Sequence, residues 1–261
     1  MHNLFSMVRV ELLKAARSRM PIFTLLGFLL MPLMAAFFMI ILKDPDFARQ
    51  AGLISAKAEL MAGTADWPTY LSIFAQAVAI GGTLLGSLIG SWVFGREFVD
   101  GTIKDLLAVP VERASILLAK FIVVALWSLA LTAITYVALL LLGWLIELPL
   151  GSAEIIRQGS IAIAVTTLLV NLVMMPVAFF ASIGRGYLLP VGATLLFVLF
   201  ANVLSIAGWG SYFPWAIPAL VAGAGDGATQ IETVSYWIVL LTGLAGFAGC
   251  YLWWQRADQS K

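Results

Sequence analysis

Six long apolar runs, separated by short polar breaks, make up most of the 261-residue chain. They occupy 21–42, 70–94, 115–146, 160–183, 187–206 and 234–254. About 20 mostly apolar residues are needed for a helix to cross a hydrocarbon core ~30 Å thick. Each run therefore predicts a membrane span. Inside lipid a single segment satisfies its own N–H and C=O groups only as a helix. The expected fold is all-α: a polytopic membrane protein with six transmembrane helices in one transmembrane domain, 1–261. The third run is the longest and should project beyond the bilayer.

Two flanking regions have a pattern of their own. On a helical projection of 1–20, Met1, Leu4, Phe5, Val8, Leu12, Ala15 and Ala16 share one side. Asn3, Ser6, Lys14 and Arg17 lie largely opposite. That predicts an amphipathic helix lying in the membrane interface, with Pro21 in the first turn of the span that follows. Arg9, Glu11, Lys14, Arg17 and Arg19 interrupt the start before any long apolar core, unlike a cleavable signal. The second region, 207–226, is too apolar for a free loop, and Pro214 and Pro218 break any single straight helix. Short helical pieces dipping back into the outer membrane face and packing on the bundle are expected. Pro176 and Pro190 should kink their spans.

Composition sharpens the class. Charged residues make up 11% of the chain, against roughly 25% in soluble domains. A net charge of +1 gives no electrostatic case for nucleic acid. The sole cysteine, Cys250, lies in an apolar run, and the sole histidine, His2, is at the start. Neither a disulfide framework nor a Cys/His metal site is expected. No carboxylate or histidine lies inside a span to activate a serine or threonine, so no catalytic, cofactor-binding or metal-binding residue is assigned. An intramembrane enzyme and a proton-driven pump are both disfavoured. Lys120 lies near one end of its span and is expected to snorkel to the interface.

Within the spans, GGTLLGS at 81–87 mimics part of a phosphate loop but lacks the lysine. Gly82, Gly86 and Gly90 are better read as a stripe for close helix packing. Gln76, Asn171 and Asn202 are polar positions for hydrogen bonds between helices or for lining a path.

Basic residues set the orientation. Arg9, Lys14, Arg17, Arg19, Arg96, Lys104, Arg113, Lys120, Arg185, Arg256 and Lys261 flank one side. Lys43, Arg49, Lys57 and Arg157 flank the other. Both termini and the loop between the second and third spans are expected on the cytoplasmic side.

That loop, 95–114, carries Arg96, Glu97, Asp100, Lys104, Asp105, Glu112 and Arg113 between two apolar runs. Asp100-Gly101-Thr102 is a helix-start signal, with Thr102 and Asp105 at capping-box spacing. Ile103, Leu106 and Leu107 then form an apolar side, and Pro110 ends the helix. A short amphipathic helix joining two membrane helices suits docking of a soluble partner. A solvated connector resting on headgroups is the plainer alternative.

The segment GREFVDGTIKDLLAVPVERASILLAK, 95–120, resembles the signature of type-two ATP-binding-cassette (ABC) permeases. The resemblance rests on Glu97, Gly101, Thr102, Leu106, Leu107, Pro110, Arg113 and Lys120. The interfacial helix, six spans and Pro-rich outer segment match that family's plan. Its smaller bacterial members related to bacitracin-type drug and peptide exporters look most similar. The resemblance implies a permease subunit without its own ATPase, in the cytoplasmic (inner) membrane. It implies a separate ABC ATPase subunit carrying ATP and Mg, and a second permease copy or homologous permease. The residues above, with Asp100 and Ile103, would couple ATPase movement to the spans. The cargo would be a drug, peptide or lipid. A non-transporting membrane anchor or sensor that recruits a cytoplasmic ATPase would use the same loop.

Overall fold

The computed structural model describes residues 2–44, 64–224 and 231–256. The predicted segment 207–226 therefore extends past the described residues at 225 and 226, as do the chain ends.

The described residues form helices and one 3₁₀ turn. In chain order they are α1 (His2–Ala16), α2 (Met20–Lys43), α3 (Trp67–Val99), α4 (Ile103–Ala108), α5 (Arg113–Leu145), α6 (Ala153–Val173), α7 (Met175–Ile183) and α8 (Leu188–Ile206). A 3₁₀ turn at Gly210–Tyr212, α9 (Ile217–Val221) and α10 (Thr233–Arg256) follow. Six stretches are long and apolar enough to span: α2, α3, α5, α6 with α7, α8 and α10. The chain is an all-α, multi-pass membrane protein. Both α3 and α5 run 33 residues, about 50 Å at ~1.5 Å per residue. The second span therefore overshoots the hydrocarbon as much as the third.

Helix α3 is the axis of the bundle, packed by α2, α5, α6, α7 and α8. Its buried residues recur at helical spacing: Tyr70, Phe74 and Val78 on one line, Gly82, Gly86 and Gly90 continuing it. Asp66 caps its start, accepting a hydrogen bond from the Thr69 N–H at 2.9 Å. Trp67 packs over Gly143, where an alanine Cβ would lie 2.7 Å from the indole. Tyr70 donates to the Leu139 carbonyl at 3.0 Å, which gives its buried hydroxyl the partner it needs in an apolar core. By contrast α2 and α8 turn wide apolar sides outward: Phe23, Leu26, Leu30 and Met34 on α2, Leu195, Leu199, Phe200 and Val203 on α8.

The fourth span is broken. Pro176 has no N–H to bond the Leu172 carbonyl, and α6 ends at Val173 with α7 beginning at Met175. Helix α10 presses on the break through Gly243 and Gly246. An alanine Cβ at Gly246 would lie 2.7 Å from the Pro176 Cα, and one at Gly243 would lie 3.0 Å from the Leu172 oxygen. Pro190 behaves differently from expectation. It sits in the first turn of α8, where a missing N–H costs nothing, so it starts the span instead of kinking it.

After α8 the chain turns back on itself. Gly208 adopts φ +81°, and the Trp209 N–H bonds the Leu204 carbonyl at 2.8 Å, a glycine-terminated helix end. Helix α9 then inserts Ile217 and Pro218 into the bundle, against a cluster that includes Val170, Val173 and Val239.

Candidate functional site

The α4 end of the bundle gathers the charges that the sequence spreads over more than a hundred positions. Helix α3 ends at Val99, and Gly101 takes φ +72° to reverse the chain. That conformation strains an L side chain but not glycine. Thr102 holds the N-cap position of α4, but its side chain makes no capping hydrogen bond. The expected capping box is therefore not formed. Val109 is extended before Pro110, as the residue before proline must be. Helix α5 starts three residues past Pro110, at Arg113.

The apolar side of α4 is not free. Ile103 is buried, and Leu106 packs half-buried against the main core. Leu107 lies in α4, but its side chain is outside the described residues. The outward surface consists of Asp100, Gly101, Thr102, Lys104, Asp105, Val109 and Pro110, all exposed. Arg96 lies over the Trp92 ring at 4.9 Å. Arg113 donates through Nη1 to the Trp254 carbonyl at 2.7 Å, tying the start of α5 to the end of α10. Trp254 is itself fixed, its indole N–H donating to Ser182 Oγ at 2.9 Å.

Beneath this surface lies a closed ring of four charges. Lys120 Nζ donates to Glu97 Oε2 at 2.9 Å, to Glu11 Oε2 at 3.4 Å and to the Val93 carbonyl at 2.6 Å. Lys14 Nζ donates to Glu11 Oε1 at 2.6 Å and Glu97 Oε1 at 3.0 Å. Side-chain exposure is 0% for Lys120, 4% for Glu97, 5% for Glu11 and 23% for Lys14. The order Glu97–Lys120–Glu11–Lys14 alternates in sign and sums to zero. Each buried charge touches two of the opposite sign, the condition under which burial is tolerated. Burial works against the Lys14 charge, but Glu11 and Glu97 outweigh it and hold its pKa above the ordinary lysine value.

The ring corrects one expectation and adds to another. Lys120 does not snorkel: it is fully buried and aims across the bundle at α1 and α3. On α1, the side packed on the bundle is largely distinct from the apolar side of the interfacial-helix projection. Met7, Glu11 and Ala15 are buried and Lys14 is half-buried, with α1 held against α5. Phe5 and Leu12, assigned to the apolar side, are exposed together with Arg9 and Leu13. Glu11 and Lys14 were missed as site residues. One signal pointed to them: a lysine inside an apolar span needs a buried anion.

The remaining candidates lie elsewhere. Cβ atoms built on Gly82, Gly86 and Gly90 would meet Val170, Met174 and Val177 at 3.9, 3.6 and 3.1 Å, so the stripe faces α6 and α7. Gln76 donates to Ser72 Oγ at 3.1 Å and to the Gly223 carbonyl at 3.4 Å. Asn171 donates to the Thr167 carbonyl at 2.9 Å and to Ser128 Oγ at 3.3 Å, joining α6 to α5. Asn202 donates to the Val198 carbonyl at 2.9 Å within α8. Among the described residues, no group of three or more His, Cys, Asp or Glu is placed to hold a metal ion.

Residues 7–201 match the family described as ABC-2 family transporter protein. The chain belongs to that family. The matched region contains α4, all four ring residues, the first four spans and most of the fifth, so this ABC-2 chain is a multi-pass membrane permease subunit. It is 25% identical over 181 residues to the bacitracin transport permease protein BCRB of Bacillus licheniformis, covering 68% of this chain and 85% of that one. It is also 29% identical over 177 residues to the uncharacterized protein YhcI of Bacillus subtilis (strain 168). That match covers 59% of this chain and 56% of YhcI, so it spans little more than half of that relative. No solved structure matches the chain.

Proposed function

We propose that this ABC-2 permease is the membrane half of an exporter driven by a separate ABC ATPase, which docks on α4 and supplies ATP and Mg. In this reading α4 and both termini face the cytoplasm, and the protein sits in the inner membrane. The cargo is hydrophobic or amphipathic, a drug, peptide or lipid, in keeping with the similarity to a bacitracin transport permease. A second permease copy or a homologous permease completes the path. The wide apolar side of α8, exposed in the single chain, fits such a neighbour.

The observation that carries the proposal is the pairing of α4 with the charge ring. A docking element transmits force only if it cannot slide on the spans it joins. Ile103 and Leu106 seat α4 on the bundle, and the ring locks α1, α3 and α5 together directly below it. Asp100, Glu97, Gly101, Thr102, Lys104, Asp105, Val109 and Pro110 then form the transmission surface and its base. Arg113 extends the connection to α10. None of these residues carries out chemistry; they convey movement.

The test is purification of the tagged chain from its native membranes, with ATP hydrolysis measured in the eluate. Co-elution of an ABC ATPase whose turnover rises with an amphipathic solute supports the proposal. Loss of the ATPase from a Lys104→Glu, Val109→Asp variant that still folds places the contact on α4. An eluate without any ATPase, or one whose turnover ignores every solute offered, contradicts the exporter reading.

A further inference from the structure

A cavity of about 500 Å³ lies far from α4, between the middle of α3, the second half of α8 and the segment that turns back after it. Its volume falls within the roughly 300–1,000 Å³ typical of small-molecule sites. Small residues make the space: Ala79 on α3, Ala201 on α8, Ala216 and Ala219 near α9. One wall is stiff, because Trp215 stacks on Phe197 with ring centroids 4.1 Å apart and planes at 28°.

The chemistry of the lining is selective. Helix α8 contributes Val198, Ala201, Asn202 and Ser205, spaced i, i+3, i+4 and i+7, which is one face of a helix. Asn202 uses one N–H on the Val198 carbonyl. Its second N–H and its side-chain oxygen are uncommitted among the described residues. Ser205 has no hydrogen-bond partner for its hydroxyl among the described residues, although it borders the same cavity. The two side chains are three positions apart, so they are neighbours about 5–6 Å apart at Cβ. Among the described residues that line it, none is ionisable. A charged group entering here would lose its hydration without a counter-charge. An uncharged hydroxyl or amide would find two polar partners, with apolar walls on either side for a chain.

We infer that this cavity binds the uncharged, hydrogen-bonding head of an amphiphile, with Asn202 and Ser205 as its polar contacts and the adjoining apolar wall holding the chain. Calling that amphiphile cargo rests on the exporter reading; the binding itself does not. The experiment uses the full chain in lipid nanodiscs and a monoacylglycerol whose tail carries a photoactivated diazirine. A fatty acid and a phosphatidylglycerol with the same labelled tail are the charged comparisons. Cross-links are mapped by peptide mass spectrometry.

The expected result is labelling within 79–83 and 198–206 by the monoacylglycerol, displaced by unlabelled monoacylglycerol and much weaker with either charged probe. Asn202→Leu and Ser205→Val, on a half-exposed helix face, should each reduce the preference for the neutral head by about fivefold, the weight of one hydrogen bond. Equal labelling by the phosphatidylglycerol, or labelling spread over the outward Leu195 and Leu199 and unmoved by both variants, overturns the inference. Neutral lipid found in the purified protein would mark the ligand as a resident of the bilayer; its absence, with displacement intact, would mark a visiting solute. Either source supports the site. Because no ATPase is present, failure here leaves the exporter proposal standing, and failure of that proposal leaves this labelling pattern unaffected.

Discussion

Lys120 lies in the eighth position of an apolar helix with both carboxylates and a carbonyl arranged around its ammonium group. Removing one partner leaves a buried charge uncompensated. Glu97→Gln should therefore destabilise the chain by about 3–5 kcal/mol, read as a fall in thermal stability of the detergent-solubilised protein. Lys14 is part-exposed, so water can replace it in part, and Lys14→Gln should cost less, about 1–3 kcal/mol. Replacing Glu97 and Lys120 together by leucine and methionine leaves Glu11 and Lys14 paired and should restore most of the loss. A double variant as unstable as Glu97→Gln alone would refute the ring as the cause. Sequence showed Lys120 and Glu97 but not their meaning. Glu11 and Lys14, three apart on a helix, read locally as a solvated surface pair. Only tertiary packing of α1 on α5 takes them out of water.

At the scale of elements, boundaries set by proline and glycine were legible because their effects are local. Gly101, Val109-Pro110 and the break before Pro176 all fall where backbone rules place them. Faces were harder to read. Gly82, Gly86 and Gly90 look like the tightest contact in the sequence, yet an added methyl at Gly82 or Gly86 meets only ordinary van der Waals neighbours at 3.6–3.9 Å. The tighter contact is Gly246 against the Pro176 backbone, which cannot rotate away. Gly86→Ala should be nearly neutral, within about 0.5 kcal/mol. Gly246→Ala should cost several times more, about 1–3 kcal/mol of overpacking, in the same thermal assay. Helix α4 gives a second contrast. Leu106→Asp should destabilise the isolated chain, because Leu106 packs against the core; Val109→Asp should leave its stability unchanged and weaken only ATPase capture. If Leu106→Asp left the isolated chain as stable as wild type, the seat of α4 on the bundle would be misassigned.

The whole molecule was the most legible scale in one respect and the least in another. Six spans follow from run length alone, since lipid admits no other solution for each segment, and their ends agree with the helices to within about two turns. What length and hydropathy cannot encode is which helices touch. Sequence therefore predicted neither the central place of α3 nor the cavity between α3 and α8. The account depends on α4 being a cytosolic grip that passes an ATPase's movement to α3 and α5. The most direct measurement replaces Lys104, exposed on α4, with cysteine and treats cells with a membrane-impermeant maleimide. The native thiol, Cys250, is fully buried, so background is small. The account predicts no labelling in intact cells, strong labelling in inverted membrane vesicles, and protection in those vesicles when the ATPase is bound. Labelling of Cys at position 104 from outside intact cells would contradict it.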